Sequence, residues 1–382
     1  MQEMDLSKAV EISDGIHWVG TGTKNFLSRN AYLRCYNGSG KKNAMVIDPG
    51  PTVDLDVLIQ KVSIVLGSIS QVNMVFMNHQ DPDVVGNAPF LARSNPNTLM
   101  LTTEDTWRLV CLSGLDTTKF RAVERFKNMR IALPTGHKIQ FVPTPFCHFR
   151  GACMLYDLES RILFSGDFLG GVACTQLYAT RANWHGVKAF HQLYMPSNEA
   201  IRLAVRRIRE LQPPPLMIAP QHGSIIKTED IPFFLEQMEN LQVGLDIIMS
   251  FEETMPQLID GLNEIVSTVR GTIGEENVRQ TMKMFHADGS YPAIFSLTSE
   301  EKITEIKGDP IESIESLIRM FFHNCDESQK SILKSIILRI LISRDLPTFD
   351  TLLAQEYAPE VEFFEDDSPS VSNNISLDCA YN

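Results

Sequence analysis

The sequence predicts an α/β fold followed by a mainly helical C-terminal region. Three observations carry that expectation. Short apolar β-type runs at 72–77, 139–142, 162–164 and 216–218 each lead into a loop bearing an imidazole or a carboxylate. Strand, loop and helix patterns alternate from about residue 53 to about residue 240. From Ile231 onward the pattern becomes mainly helical.

Residues 10–50 read as strands and tight turns, with β runs at 15–19, 31–35 and 44–47. Asn37-Gly38 and Ser39-Gly40 form a turn, and Asp48-Pro49-Gly50 stops the third run. Helical spacing of apolar residues covers 53–66. A second helix, 198–211, carries Ile201, Ala204, Val205 and Ile208 on one face, and Pro213-Pro214-Pro215 ends it. Further helices are expected at 231–250, 254–269, 275–285, 310–322 and 327–343, with a turn-rich break at 286–292. The apolar stripe of the last helix, Ile332, Leu333, Ile336, Ile337, Ile340 and Leu341, reads as core first and as a partner or dimer face second. The expected division is 1–250 for the α/β domain, 251–345 for a helical dimerisation or output region and 346–382 for a disordered acidic tail.

Composition narrows the function classes. The chain of 382 residues, 43% hydrophobic and 21% charged, has the make-up of a soluble globular protein. Its net charge of −13 argues against nucleic-acid binding. Much of that charge is local, with nine Asp or Glu and no Lys or Arg after Arg344. No run reaches the length of a membrane span, and the polar, acidic first nine residues do not read as a signal peptide. Seven dispersed cysteines without CxxC spacing suggest reduced thiols and a cytoplasmic setting. Cys147 reads as a buried bystander, because a soft thiolate suits an oxygen-rich ligand set poorly.

The candidate site gathers His79, Asp81, Asp83, His148, Asp167 and His222. Residues at the ends of neighbouring strands of one sheet converge on one cleft. Three imidazoles and three carboxylates crowded together call for a counter-charge, and a metal pair supplies it. Along an extended His79-x-Asp81-x-Asp83, Asp81 shares a metal with His79 while Asp83 reaches a second. Pro82 delays the start of the next helix. One carboxylate can bridge two ions about 3.5–4 Å apart, and Asp167 is the natural candidate. His148 completes one side and His222 the other. Asp48 reads as structural or as a partner holding a ligand. His17, His137, His185, His191, His286 and His323 read as surface or hydrogen-bonded residues. Tyr178, Trp184 and Tyr194 read as core packing before pocket lining, and Thr21 to Asn25 as a plain turn.

These motifs resemble the metallo-β-lactamase fold, an αβ/βα four-layer sandwich. Its hydrolases carry His-x-His-x-Asp-His; here Asp81 and Val84 stand at the second and last histidine positions. The His-x-Asp-x-Asp form instead resembles the di-iron branch, the flavodiiron proteins, with their His-x-Glu-x-Asp. The stretches Leu163-Phe164-Ser165-Gly166-Asp167-Phe168, Met217-Ile218-Ala219-Pro220-Gln221-His222-Gly223 and Tyr194-Met195-Pro196-Ser197-Asn198 agree, so the resemblance covers roughly residues 8–250. It implies one iron on His79, Asp81, His148 and Asp167 and another on Asp83, Asp167 and His222. Val84 leaves the second iron with three protein ligands and an open position for a diatomic gas. Asp81 is one methylene shorter than the family's Glu, which alters the first iron's geometry.

A flavodoxin-like domain would follow such a core in a flavodiiron reductase, and the helical pattern after residue 250 does not resemble one. The chain therefore resembles the stand-alone oxygen-binding di-iron proteins. That resemblance implies two Fe ions, no flavin in this chain, and binding of O2 or NO at a diferrous site as a ferric-peroxo adduct. It further implies oxygen sensing in bacterial signalling, a signalling partner protein and a homodimer. Three alternatives stay open: an O2 or NO reductase fed by a separate electron-donor protein, a two-zinc hydrolase of an ester or phosphodiester, and an interaction protein with structural metals.

Overall fold

The computed structural model describes residues 5–21, 27–284, 294–307, 309–323, 325–344 and 346, with backbone alone at 248–254. Residues 22–25 of the expected turn, the break at 286–292 and all but one residue of the expected tail lie outside the described residues.

Two mixed sheets face each other. The first runs β1 (Val10–Ser13), β2 (Ile16–Trp18), β3 (Tyr32–Gly38), β4 (Lys41–Ile47), β5 (Met74–Phe76), β6 (Leu99–Thr102) and β7 (Phe120–Ala122) in sequence order. Pairing is antiparallel up to β4 and parallel from β4 to β7. The second holds β8 (Arg130–Ala132), β9 (Lys138–Pro143), β10 (Cys153–Asp157), β11 (Ile162–Gly166), β12 (Met217–Pro220) and β13 (Ile226–Lys227), in order 13-12-11-10-9-8. Because β10 is antiparallel to β9 and β11, and β11 is parallel to β12, the C-terminal ends of β9, β11 and β12 lie along one edge.

The period-two alternation of side chains builds the layers. Met45, Ile47, Met74 and Phe76 face Phe141, Cys153, Leu155, Ile162 and Phe164 across the inter-sheet core. Ala44, Val46, Val75 and Met77 point the other way, against α1 (Leu55–Leu66), α3 (Ala88–Ser94) and α4 (Glu104–Val110). On the far side, Met154, Tyr156 and Leu163 pack on α5 (Trp184–Tyr194), α6 (Asn198–Arg209) and α7 (Ile231–Glu239). The β10 and β11 strands are buried on both faces, which is why they read as continuous apolar runs. The order helix, sheet, sheet, helix is the αβ/βα sandwich expected.

The chain then enters α8 (Gly244–Ile273), α9 (Glu275–Met284), a hairpin of β14 (Phe295–Leu297) and β15 (Ile303–Ile306), α10 (Pro310–His323) and α11 (Glu327–Ser343) around a separate core. The hairpin was not legible in the apolar spacing, its strands being three and four residues long. Helices expected at 231–250 and 254–269 divide elsewhere. The break falls at Asn240–Val243, and α8 runs through Pro256 and across the expected boundary at 250/251. Asn198 and Asp246 cause the restart: the Asn198 side chain accepts the Val243 N–H, and the Asp246 carboxylate accepts the Asn198 N–H. On α11, Leu333, Ile337, Ile340 and Leu341 are buried, as the core reading expects, while Ile332 is half-exposed. Among the described residues, no helix is long and apolar enough to cross a membrane.

Arg34 on β3 and Asp157 on β10 join the two sheets through a buried ion pair, Nε to Oδ2 at 2.8 Å. Asp157 also accepts the Glu159 and Ser160 N–H groups, and Arg34 donates to the Asp14 and Cys35 carbonyls. Removing one partner leaves an uncompensated buried charge. Arg34→Ala is therefore expected to destabilise the fold by about 3–5 kcal/mol, read from the shift of a urea unfolding curve. A loss under about 1 kcal/mol would show that this pair does not hold the sheets together.

Candidate metal centre

The site lies where the two sheets meet, not at the edge of one sheet as the sequence reading assumed. β5 of the first sheet delivers His79, Asp81 and Asp83, while β9, β11 and β12 of the second deliver His148, Asp167 and His222. Backbone bonds cross between the sheets at this point: Cys153 N–H to Asn78 O at 3.0 Å and Asn30 N–H to Gln221 O at 2.6 Å. The Tyr32 hydroxyl donates to the Pro220 carbonyl. Gly166 has φ +61, and a Cβ there would run into the Asn78 side chain, so close approach of the sheets needs glycine.

All six expected residues converge. His79 Nε2 lies 3.6 Å from Asp81 Oδ2 and 3.6 Å from Asp167 Oδ2; His148 Nε2 lies 3.0 and 3.2 Å from the same two atoms. His222 Nε2 lies 3.1 Å from Asp83 Oδ2 and 3.8 Å from Asp167 Oδ1. The two oxygens of Asp167 thus face different groups, His79–Asp81–His148 on one side and Asp83–His222 on the other. Ligand atoms of His79, Asp81 and His148 all lie within 4.8 Å of one another, close enough to share an ion. Asp83 reaches its place differently from expectation. Asp81 stands at the N-cap position of the single-turn helix α2 (Pro82–Val85), its carboxylate turned to the site and not to the helix, so Asp83 projects from a helical turn and not from an extended strand. Val84 is fully buried in the outer core of the first sheet and contributes no donor.

Neighbours fix the imidazoles. His222 Nδ1 lies 2.8 Å from the Ser28 carbonyl, which can only accept, so Nδ1 carries the proton and Nε2 is left as a donor atom. His79 Nδ1 lies 3.3 Å from Asn78 Oδ1. Gln80 Nε2 donates to Asp81 Oδ1 at 2.7 Å, leaving Oδ2 to face the histidines, and Gln221 Nε2 donates to the Asp83 carbonyl. Asp48 accepts the Asn78 N–H, and burial pushes its carboxyl up to about 7. It is a partner behind the ligand strand, as expected.

The donor set suits a metal pair. Asp167 Oδ1 is buried and has no hydrogen-bond partner, and imidazole nitrogens and carboxylate oxygens are ligands of first-row divalent ions. Burial alone would raise the Asp167 carboxyl, but His79, His148 and His222 outweigh it and hold it far below the usual range. Asp81 is lowered likewise by His148 and His79 against its burial. Burial lowers His148, and Asp167 and Asp81 more than reverse this, raising it to about 10. Against the effect of burial, Asp167 and Asp81 raise His79, and Asp83 and Asp167 raise His222.

One wall of the site is aromatic, and its Phe190 was not foreseen. On α5, Phe190 sits 5.3 Å from the His222 ring, and Tyr194 sits 6.3 Å from His148 and 4.8 Å from Phe190. Spacing of i and i+4 on one helix could have flagged this pair. Tyr194, expected as core packing first and pocket lining second, stands beside His148, 40% exposed, as the second expectation has it. Trp184 packs on Phe234, and Tyr178 lies under Lys227. Cys147 is buried, with Sγ on the Ala200 carbonyl and burial pushing its thiol up to about 12, so it is the bystander expected. The six described cysteines are free thiols.

Residues 27–223, just over half of the chain, match the family described as "ODP family beta lactamase". The apo state of the chemotaxis sensor ODP from T. denticola is 26% identical with a TM-score of 0.53, covering 64% of this chain and 97% of that one. A peroxy diiron species of the chemotaxis sensor ODP is similar at 26% identity and a TM-score of 0.52, over 64% of this chain and 98% of that one. Among curated relatives, the anaerobic nitric oxide reductase flavorubredoxin of Pectobacterium carotovorum is 23% identical over 65% of this chain and 52% of its own length. The chain spans about half the length of the curated relatives it matches.

Metal ligation needs neutral imidazoles, so binding must expel protons. With His148 raised to about 10, the metal-free protein carries that proton at pH 7.5. Zn(II) titration calorimetry at pH 7.5, in buffers of different ionisation heat, is expected to show release of at least one proton per protein. Apparent affinity is expected to fall about tenfold per displaced proton for each pH unit below 9. Heats independent of buffer would show that these histidines are not the ligands.

Proposed function

The chain belongs to the ODP family of β-lactamase-fold proteins, and from that premise we propose that it is a non-haem di-iron protein that binds O2, or NO, reversibly and signals its occupancy. The observation that carries this reading is the unequal division of donors about Asp167. Its Oδ2 belongs to a half-site with His79, Asp81 and His148, while its Oδ1 belongs to one with, among the described residues, Asp83 and His222. The half-site with fewer protein donors is the one able to accept a gas ligand. Iron is favoured over zinc by the carboxylate-rich set and by the likeness to a sensor known in a diiron state.

Two ferrous ions, when bound, supply the electron density that a diatomic ligand draws on. The remaining roles fall to the chain itself. Asp167 shares its charge between the two half-sites, and Gln80 keeps one oxygen of Asp81 turned away from the histidines. Ser28 holds the His222 ring in one tautomer. Phe190 and Tyr194 form an aromatic wall, Phe190 against His222 of the second half-site and Tyr194 beside His148 of the first.

The helical region, residues 251–345, is the proposed output module, in a cytoplasmic homodimer with a signalling partner. A contact route supports this. Val172, a few residues after Asp167, bonds through its N–H to Gly186 of α5. It lines, with Leu338 and Ile342 of α11, a cleft of about 210 Å³. Leu338 packs on both the metal domain's outer core and the C-terminal core. A change in the Asp167 loop therefore has a packed path to α11. Free thiols at all six described cysteines agree with a reducing compartment. The likeness to nitric oxide reductases supports a second reading, a reductase fed by a separate donor protein.

The test is the absorbance of anaerobic, Fe(II)-loaded protein as one equivalent of O2 is added and then removed. A long-lived visible band that fades on deoxygenation is expected. Immediate irreversible oxidation, with turnover when a reduced donor protein is supplied, would favour the reductase. Two tightly held zinc ions and no response to O2 would favour the hydrolase. Asp167→Ala is expected to lower affinity for the second iron by more than about 100-fold, since loss of a mere supporting partner of a ligand costs about 10–100-fold.

A further inference from the structure

We propose that His191 is a positioning residue for the bridging carboxylate, fastening the loop that follows Asp167 to helix α5. His191 is fully buried, and its Nδ1 lies 2.7 Å from the Val187 carbonyl one helical turn back. That carbonyl can only accept, so Nδ1 carries the proton and the Nε2 lone pair is free. Nε2 accepts the Leu169 N–H at 3.0 Å. Leu169 stands two residues after Asp167 with φ +65, a left-handed conformation that a leucine holds only where its surroundings impose it.

The rest of this loop is pinned as well. Ser165 Oγ donates to the Phe168 carbonyl at 2.6 Å, and the Gly170 N–H donates to the Asp167 carbonyl at 2.8 Å. Gly170 admits no Cβ without crowding that carbonyl, Phe190 and His222, so the loop is pressed directly against the second half-site. Phe168 and Phe190 flank the His191 ring edge-on at 5.8 and 5.5 Å, which holds the imidazole plane. Three positions of one helix, 190, 191 and 194, thereby address His222, the Asp167 loop and His148 respectively. The buried Leu169 N–H needs an acceptor, and the loop has strain to release if that acceptor goes. The carboxylate two residues away would then lose its split orientation. An apolar residue could fill the same space but could not hold the amide.

The inference rests on reading Asp167 as the shared ligand of two ions, not on which gas binds. His191→Gln and His191→Asn separate it from plain core packing. Gln carries an acceptor at about the Nε2 position, whereas Asn reaches only as far as Nδ1. Full-length protein is loaded with Mn(II) as a paramagnetic probe. The spin coupling of the ion pair is followed by electron paramagnetic resonance, and the affinity for the second equivalent by titration. Wild type and His191→Gln are expected to show a coupled pair; His191→Asn is expected to lose the coupling and to bind the second Mn(II) at least about tenfold more weakly. Equal behaviour of the two variants, whether both keep the coupling or both lose it, would overturn the role assigned to His191 and leave the metal pair standing. A wild-type protein that binds no coupled pair would overturn both together.

Discussion

A buried carboxylate without a hydrogen-bond donor on one of its oxygens is the constraint around which this protein is arranged. Asp167 is almost fully enclosed, and an isolated anion at that depth would cost several kcal/mol. In the metal-free state His148, raised to about 10, compensates it by holding a proton, and His79 and His222 are shifted upward in the same sense; metal ions would do so by replacing protons. The two protonation regimes use the same nitrogen atoms. The charge problem and the ligand set are therefore the same physical feature.

The rest of the sandwich follows from keeping that carboxylate in place. The ligands come from both sheets, so the sheets must be locked together. Arg34 and Asp157 do this at a distance, and the Asn78, Tyr32 and Gln221 contacts do it beside the site. Behind the second sheet, α5 supplies the aromatic wall and the acceptor for Leu169. The Val172–Gly186 contact carries the same helix toward α11. The helix that lines the candidate metal site, α5, also borders the cleft lined by α11.

Much of this was legible in the residues. The strand-end runs before His79, His148, Asp167 and His222 marked four of the strands that form; β5 and β11 are buried throughout and so apolar throughout, while β9 and β12 keep partly exposed positions. The six candidate ligands were legible as a set: one acid or imidazole at the end of an apolar run is more often a cap or a hydrogen-bonding residue, but six across four such loops point to one site. Phe190, His191, Ser28, Asn78 and Gln80 were not. Each is an ordinary residue whose role depends on what lies across from it, at sequence separations from one to nearly two hundred residues. Tyr194 shows the same limit, since an aromatic residue on an amphipathic helix looks alike whether it faces a core or a ligand.

The sequence by itself determined the alternation of strands and helices, the chemical types of the six candidate ligands and the lack of a donor at Val84, because periodicity and side-chain chemistry are local properties; the αβ/βα layering was what the resemblance implied. Only the tertiary structure decided that the candidate ligands come from two sheets, and that the oxygens of Asp167 face unequal groups. It also placed Asp83 on a helical turn, ran α8 through its proline, and set His191 behind the bridge. The physical reason is common to all of these. Hydrogen bonds and ion pairs between distant segments depend on distances of a few ångströms, and such distances exist only once both sheets and their covering helices have packed.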